Sequence, residues 1–347
     1  MGFEYENVWV VTYNNSLDTK NGDSINLFYN NLRSTLTTLP EVEDVSFSNS
    51  NVPFSDSHSS NNVNYKGREY NRINIYQTDP SYNKVWQMRV LEGHWFTKED
   101  IKGKYTPVVI DSTFKELLFG QESAIGKVLG HGDKDTKERI IGVVANMKVD
   151  GNYYAAGNSY YNLIDTADYR WLGTLSIRVT PDANASFESR LYKLLANTMK
   201  KSNISIEHSV DMRRTKNDST IIPLIIFMIV AGFLIINVAL GLFGVLWYSI
   251  NRRKGEIGLR RAIGATGASV SYQLIAESLI LASLALLVGS FFALQLPLLN
   301  VFNIAASVYL IAILIAVVFI YLLVFLCSLY PGKQAAAILP AIALHEE

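Results

Sequence analysis

The chain has 347 residues, with 31 Lys and Arg against 31 Asp and Glu, a balance that leaves no basic field for nucleic acid. Its one cysteine, Cys327, excludes an intrachain disulfide and a cysteine metal site. The even charge hides a split: residues 221–347 hold six of the basic and four of the acidic residues, leaving 25 and 27 to residues 1–220. The first part reads as a nearly neutral water-soluble domain and the second as membrane.

Residues 8–13, Val-Trp-Val-Val-Thr-Tyr, are β-branched and aromatic and predict a strand. Asp23 or Ser24 caps a helix to about Thr38, with Ile25, Phe28, Leu32 and Leu36 near helical spacing and Pro40 as its stop. Residues 42–47 form a second strand. Residues 46–64, crowded with Ser and Asn and holding Pro53, read as a loop or poorly ordered insert. Strands follow at 72–77, 108–110, 140–144, 174–179 and 204–207. Asp111-Ser112 opens a short helix to Phe119 closed by Gly120, and residues 187–199 form another helix. Strand–helix–strand recurs, which predicts an α+β domain of two lobes over residues 1–220.

Three apolar runs follow, about residues 221–248, 271–299 and 305–330. About twenty apolar residues suffice to cross a bilayer, so each predicts a span of an α-helical bundle. Pro223 sits at the outer end of the first, where a missing N–H costs least. Residues 298–303 carry no charge and predict a tight outer turn, and Pro331-Gly332 should end the third span.

Between the first two runs lies Asn251-Arg-Arg-Lys-Gly-Glu-Ile-Gly-Leu-Arg-Arg-Ala-Ile-Gly-Ala-Thr266. Five of its residues are cationic and only Glu256 is anionic, which holds a short loop on the cytoplasmic side and puts residues 1–220 outside. Leu259, Ala262 and Ile263 fall at i, i+3 and i+4 as an apolar patch. Glu256 precedes Arg260 by four, the favourable order for an ion pair. Residues 251–268 therefore predict a short amphipathic surface helix. By spacing alone it is either a topology anchor or a docking helix.

Chemistry-bearing groups are sparse. Residues 120–128 look like a phosphate loop, but the glycine spacing is one too long and Val128 stands where Ser or Thr would hold magnesium. The five histidines show no ligand spacing. Within the spans, Asn237 suggests an interhelical polar contact. Glu277 is a costly carboxylate and by default a functional candidate; the plainer reading, preferred here, is that it hydrogen-bonds across the bundle or is reached by Arg260 or Arg261 at the membrane surface.

Residues 253–266 resemble the R-x-x-E-I-G-[IL]-[RL]-[RK]-A-[IL]-G-A motif of the MacB/FtsX superfamily of ABC-transporter permeases. The outer domain is similar to the MacB-type periplasmic core through Leu-Glu-Gly-His-Trp-Phe-Thr at 91–97, Pro-Val-Val-Ile at 107–110, Leu-Phe-Gly at 118–120, Ala-Ile-Gly-Lys at 124–127 and Ile-Ile-Gly-Val-Val at 140–144. The tail, residues 333–344, resembles the closing P-x-x-x-A-A-x-I-x-P-x-x-A-L pattern. The resemblance implies that Gly255, Glu256, Ile257, Gly258, Leu259, Arg260, Arg261, Ala262, Ile263 and Gly264 form a coupling helix docking on a separate cytoplasmic ATPase subunit. It implies no cofactor, no catalysis in this chain and residence in the inner membrane among lipids. Implied partners are a second permease copy (a homodimer or paired homologue), a periplasmic adaptor and an outer-membrane channel. Two alternatives share the architecture: an FtsX-like regulator of a periplasmic cell-wall hydrolase, and a lipoprotein-release permease. The family also has a membrane helix before its outer domain, and Met-Gly-Phe-Glu at the start is no signal peptide. The expectation is thus four spans in the intact protein, the first missing here.

Overall fold

The structure, a computed structural model, describes residues 1–14, 21–56, 58–97, 99–100, 105–131, 134–164, 166–200, 202–299 and 305–338. Two compact units divide at Pro223.

In the outer unit the order is β1 (Val8–Tyr13), α1 (Gly22–Thr37), β2 (Val42–Ser50), β3 (Ser60–Tyr65), β4 (Arg68–Thr78), α2 (Tyr82–Trp86), β5 (Val90–Gly93), β6 (Thr106–Asp111), α3 (Ser112–Phe119), β7 (Val128–His131), β8 (Lys134–Val144), β9 (Ser159–Leu163), β10 (Thr174–Val179), α4 (Ala185–Thr198) and β11 (Ile204–His208). The strands join in one sheet ordered β11-β1-β10-β2-β4-β3-β7-β8-β6-β9, with β5 on β8 and β9 also on β4. Among the described residues only β4–β9 and β6–β8 pair in parallel.

Three cores line this sheet. At one end Trp9, Val11 and Tyr13 of β1 pack with α1 and α4 through Ile25, Leu32, Leu36, Phe187, Leu191 and Leu195. Those helix residues recur at three and four, so one face of each helix is buried. At the other end Val108, Ile110, Ile140 and Tyr160 pack on Phe114 of α3. An aromatic cluster around Trp86, Tyr82, Trp95 and Tyr161 takes in Val8 and Val10 of β1 and Val109 of β6, the alternate residues of those strands, and so lies on the opposite face of the sheet there. This gives the α+β domain its two lobes on one unbroken sheet.

Two local expectations are corrected. The cap of α1 is Asn21, whose side chain accepts the Asp23 N–H at 2.9 Å, and neither Asp23 nor Ser24 fills that place. The Ser/Asn-rich stretch 46–64 is mostly ordered: β2 extends to Ser50 and β3 starts at Ser60. Asn51 fastens the turn between them. Its amide donates to the Ser59 and Ile75 carbonyls at 2.6 and 2.7 Å, and its Oδ1 accepts the Ser59 N–H at 2.5 Å. Composition read as loop because these polar side chains satisfy backbone groups inside the fold.

Gly93 and Gly142 explain two of the quoted signatures. They are register partners between β5 and β8. A Cβ on Gly142 would lie 2.2 Å from the His94 carbonyl oxygen, and one on Gly93, at φ +66, 2.1 Å from that of Ile141. The strands approach too closely for any side chain.

Asp111 caps α3, accepting the Phe114 N–H at 2.7 Å, and is fully buried. Burial raises its carboxyl to about 7. The unfolded chain ionises it near the ordinary value of about 4, so the folded chain holds the extra proton between about 4 and 7 and loses stability as pH rises through that window. Asn keeps the cap acceptor without the charge. Asp111→Asn should therefore melt at least as high as wild type at pH 8 and show a smaller drop from pH 5 to pH 8. Thermal unfolding at the two pH values checks this, and equal drops would contradict it.

The second unit, with the helix that leads into it, is helical: α5 (Ser209–Arg252), α6 (Lys254–Ala262), α7 (Gly267–Ala293), α8 (Gln295–Leu298) and α9 (Ala306–Ala336). Ser209–Arg252, Gly267–Leu298 and Ala306–Ala336 are long and apolar enough to cross a membrane. The first helix begins at Ser209 and runs unbroken through Pro223. The third does not end at Pro331-Gly332; it continues to Ala336. Proline in a helix interior costs ~3 kcal/mol or more. Here Pro331, Gly332 and Ala335 are all buried, and that packing outweighs the loss. The expected outer turn at 298–303 falls mostly outside the described residues, as does the tail beyond 338.

Candidate coupling site

The site is α6 with the ends of the helices around it. Arg253 breaks the helical run between α5 and α6, with φ −103 and ψ 17. Its guanidinium reaches Glu256 at 3.0 Å and Glu277 of α7 at 3.1 Å. Glu256 also accepts from Arg260 at 2.6 Å. Arg260 bonds Gln273 Oε1 at 2.8 Å, and Gln273 donates to Glu277 at 3.0 Å. Glu256, Arg253, Glu277, Gln273 and Arg260 thus close a ring between α6 and the first turns of α7. The Arg253 guanidinium holds the Glu256 carboxyl below its ordinary range, and Arg253 itself is raised by Glu256 and then Glu277.

Each motif position has its own place. Ile257 is buried with Ile250, Val270 and Ala335, and Gly258 is buried beside it. Gly255 faces open space. Arg261 donates to the Ala336 carbonyl at the end of α9. Gly264, at φ +105, ends the helix. Its N–H bonds the Arg261 carbonyl at 3.2 Å and the Ala265 N–H that of Arg260 at 3.0 Å, the paired bonds of a Schellman cap. Leu259 is 54% exposed and Ile263 80%, and Ala262 between them is exposed. Ile257 turns into the bundle, the Glu256 and Arg260 side chains pair at the surface at 43% and 44% exposure, and Leu259, Ala262 and Ile263 turn out.

Glu277 is reached by Arg253, not by Arg260 or Arg261 as expected. Arg253 sits where the chain reverses, so only the folded corner brings it to α7. Asn237 makes no interhelical bond among the described residues; its amide donates to the Phe233 carbonyl of its own helix at 2.8 Å. In apolar surroundings that carbonyl is the nearest acceptor.

The sequence reading missed the crossing that supports α6. A Cβ on Gly332 would lie 2.7 Å from Ser271 Oγ, and one on Gly267 2.9 Å from the Ala336 carbonyl. Gly267 and Ser271 on α7, and Gly332 and Ala336 on α9, are each four apart. That small-residue spacing, which lets membrane helices touch, was the signal available. The phosphate-loop resemblance dissolves: Lys127 bonds Glu122 at 2.5 Å and lies 4.5 Å from the Phe119 ring.

Fold and site together define an integral membrane protein with an α+β outer domain and a short cytoplasmic helix between spans. Residues 2–191 match the MacB-like periplasmic core domain and residues 228–340 the FtsX-like permease C-terminal family. The chain belongs to the MacB/FtsX-type ABC-transporter permeases. It is similar to the macrolide export ATP-binding/permease protein MacB of Aggregatibacter actinomycetemcomitans, 24% identical over 62% of this chain and 34% of that one. The MacB of Mannheimia succiniciproducens is 23% identical over 84% and 46%. The chain thus spans less than half the length of these relatives. Among solved structures, the periplasmic region of MacB from Actinobacillus actinomycetemcomitans aligns with TM-score 0.44 at 19% identity, over 61% of this chain and 93% of that one.

The protein is a multi-pass inner-membrane protein with its MacB-like domain in the periplasm. Ser189→Cys on α4 should accordingly react with an impermeant maleimide in spheroplasts, in a Cys327→Ser background. Ser269→Cys, at the start of α7, should react only after lysis. The opposite pattern would reverse the orientation.

Proposed function

We propose that this chain is the permease subunit of an ABC transporter and transmits the motion of a cytoplasmic ATPase to its periplasmic domain, with α6 as the helix that docks on the ATPase. The observation carrying this reading is the division of α6: Ile257 packs into the bundle and Glu256 and Arg260 are engaged in the ring with α7, while Leu259, Ala262 and Ile263 are exposed. A mere anchor needs only charge and has no use for an exposed apolar patch beside the membrane. Closure of the ATPase moves α6. The unbroken helix α5, about 66 Å long at the helical rise, carries that motion from Arg252 to Ser209, which follows directly on β11.

The relatives carry ATP binding and permease in one chain by name. On this reading the functional unit pairs two permease copies, since an ATPase dimer offers two docking sites. A periplasmic adaptor and an outer-membrane channel complete the efflux reading. Co-purification of the ATPase with variants of the α6 patch is the test.

A further inference from the structure

The longest uncharged stretch of the outer unit is residues 151–164, and its first half is a loop leading into β9. The loop is pinned along its length. The Val149 carbonyl accepts the Phe54 N–H at 2.8 Å, and the Asn158 carbonyl accepts the Asn74 N–H at 2.9 Å. Between them the Asn152 N–H donates to Asn217 Oδ1 of α5 at 2.9 Å. Gly151, at φ +91, makes room for that contact, since a Cβ there would lie 2.7 Å from Asn217 Oδ1. Past this clamp Tyr153 and Tyr154 are 59% and 54% exposed. Two neighbouring tyrosines thus stand out on a clamped loop whose own residues, 151–164, carry no charge.

Asn217 lies four residues before Ile221, where the apolar run of α5 begins, or about 6 Å along the helix axis. The loop is thus clamped to α5 one turn outside the span. Tyrosine rings favour that depth, where the ring meets acyl chains and the hydroxyl meets water. The geometry points to a lipid contact: Tyr153 and Tyr154 seat the periplasmic domain on the headgroup region of the outer leaflet. Asn217 and Gly151 position the loop for it.

The test uses the full chain in lipid nanodiscs with Cys327→Ser. A nitroxide is placed at Tyr154→Cys and, separately, at Tyr153→Cys, with Ser189→Cys on α4 as a water-exposed reference. Collision with oxygen relative to a water-soluble nickel chelate reads the depth. At either tyrosine the ratio should be several-fold above that at Ser189. A ratio equal to that at Ser189 at both positions would place the loop in water and overturn the proposal. Labels immobilised and shielded from both reagents would also overturn it, because a protein surface would then cover the loop. Two label positions guard against a variant that disturbs its own site.

Discussion

Leu259→Asp should release the ATPase subunit while the permease still inserts and folds. In a docked complex the patch of Leu259, Ala262 and Ile263 would be covered. Burying a leucine is worth roughly 1.5–3 kcal/mol, and an unpaired carboxylate in its place costs more. The loss of a few kcal/mol corresponds to a tenfold to several-hundredfold drop in affinity. Leu259 is half exposed in this chain and belongs to none of its buried clusters, so the substitution leaves the fold alone. Arg252→Lys keeps the orienting charge and should be nearly silent. The measurement is ATPase recovered per permease in detergent, with stimulated ATP hydrolysis as a second reading. Recovery at the wild-type ratio with Leu259→Asp would leave α6 as a topology anchor. Glu256→Ala is a less clean probe, because it opens the ring that holds α6 on α7.

Gly142→Ala should destabilise the outer unit severely. The added methyl would meet a backbone carbonyl at 2.2 Å, and a carbonyl cannot swing aside as a side chain can. Either β8 shifts, or β5 detaches from β8 and takes buried Trp95 and Phe96 with it. Overpacking costs up to ~3 kcal/mol in ordinary cases. For a unit of 223 residues that lowers Tm by about 6–12 °C, followed through the buried tryptophans. Gly130→Ala is the control. Its methyl would sit 3.5 Å from the nearest atom, in ordinary contact, and should shift Tm little. Equal shifts in the two variants would refute the close approach of β5 and β8.

Much of the outer domain was readable because local pattern and tertiary fate agree. β1 and β10 fall where β-branched alternation puts them, and α3 lies between its aspartate cap and Gly120. What escaped was short or strongly polar. The strands β5 and β7 have four residues each, too few for a period to stand out, and β3 is Ser-Asn-Asn-Val-Asn-Tyr, polar almost throughout. They exist because neighbouring strands offer them hydrogen bonds.

The sequence by itself determined the three span-length runs, the side of the membrane each end of them faces, and the amphipathic character of residues 254–263. Hydropathy and charge act on each segment independently of its neighbours, so they can be read without the fold. Only the tertiary structure decided which face of α6 is spent. The ring joins Arg253 to Glu277, 24 positions away, and Arg261 meets the carbonyl of Ala336, 75 positions away. It likewise decided that Pro331 lies within a helix and that Gly93 meets Gly142. Such contacts depend on which residues chain reversal brings together, and no local period encodes that.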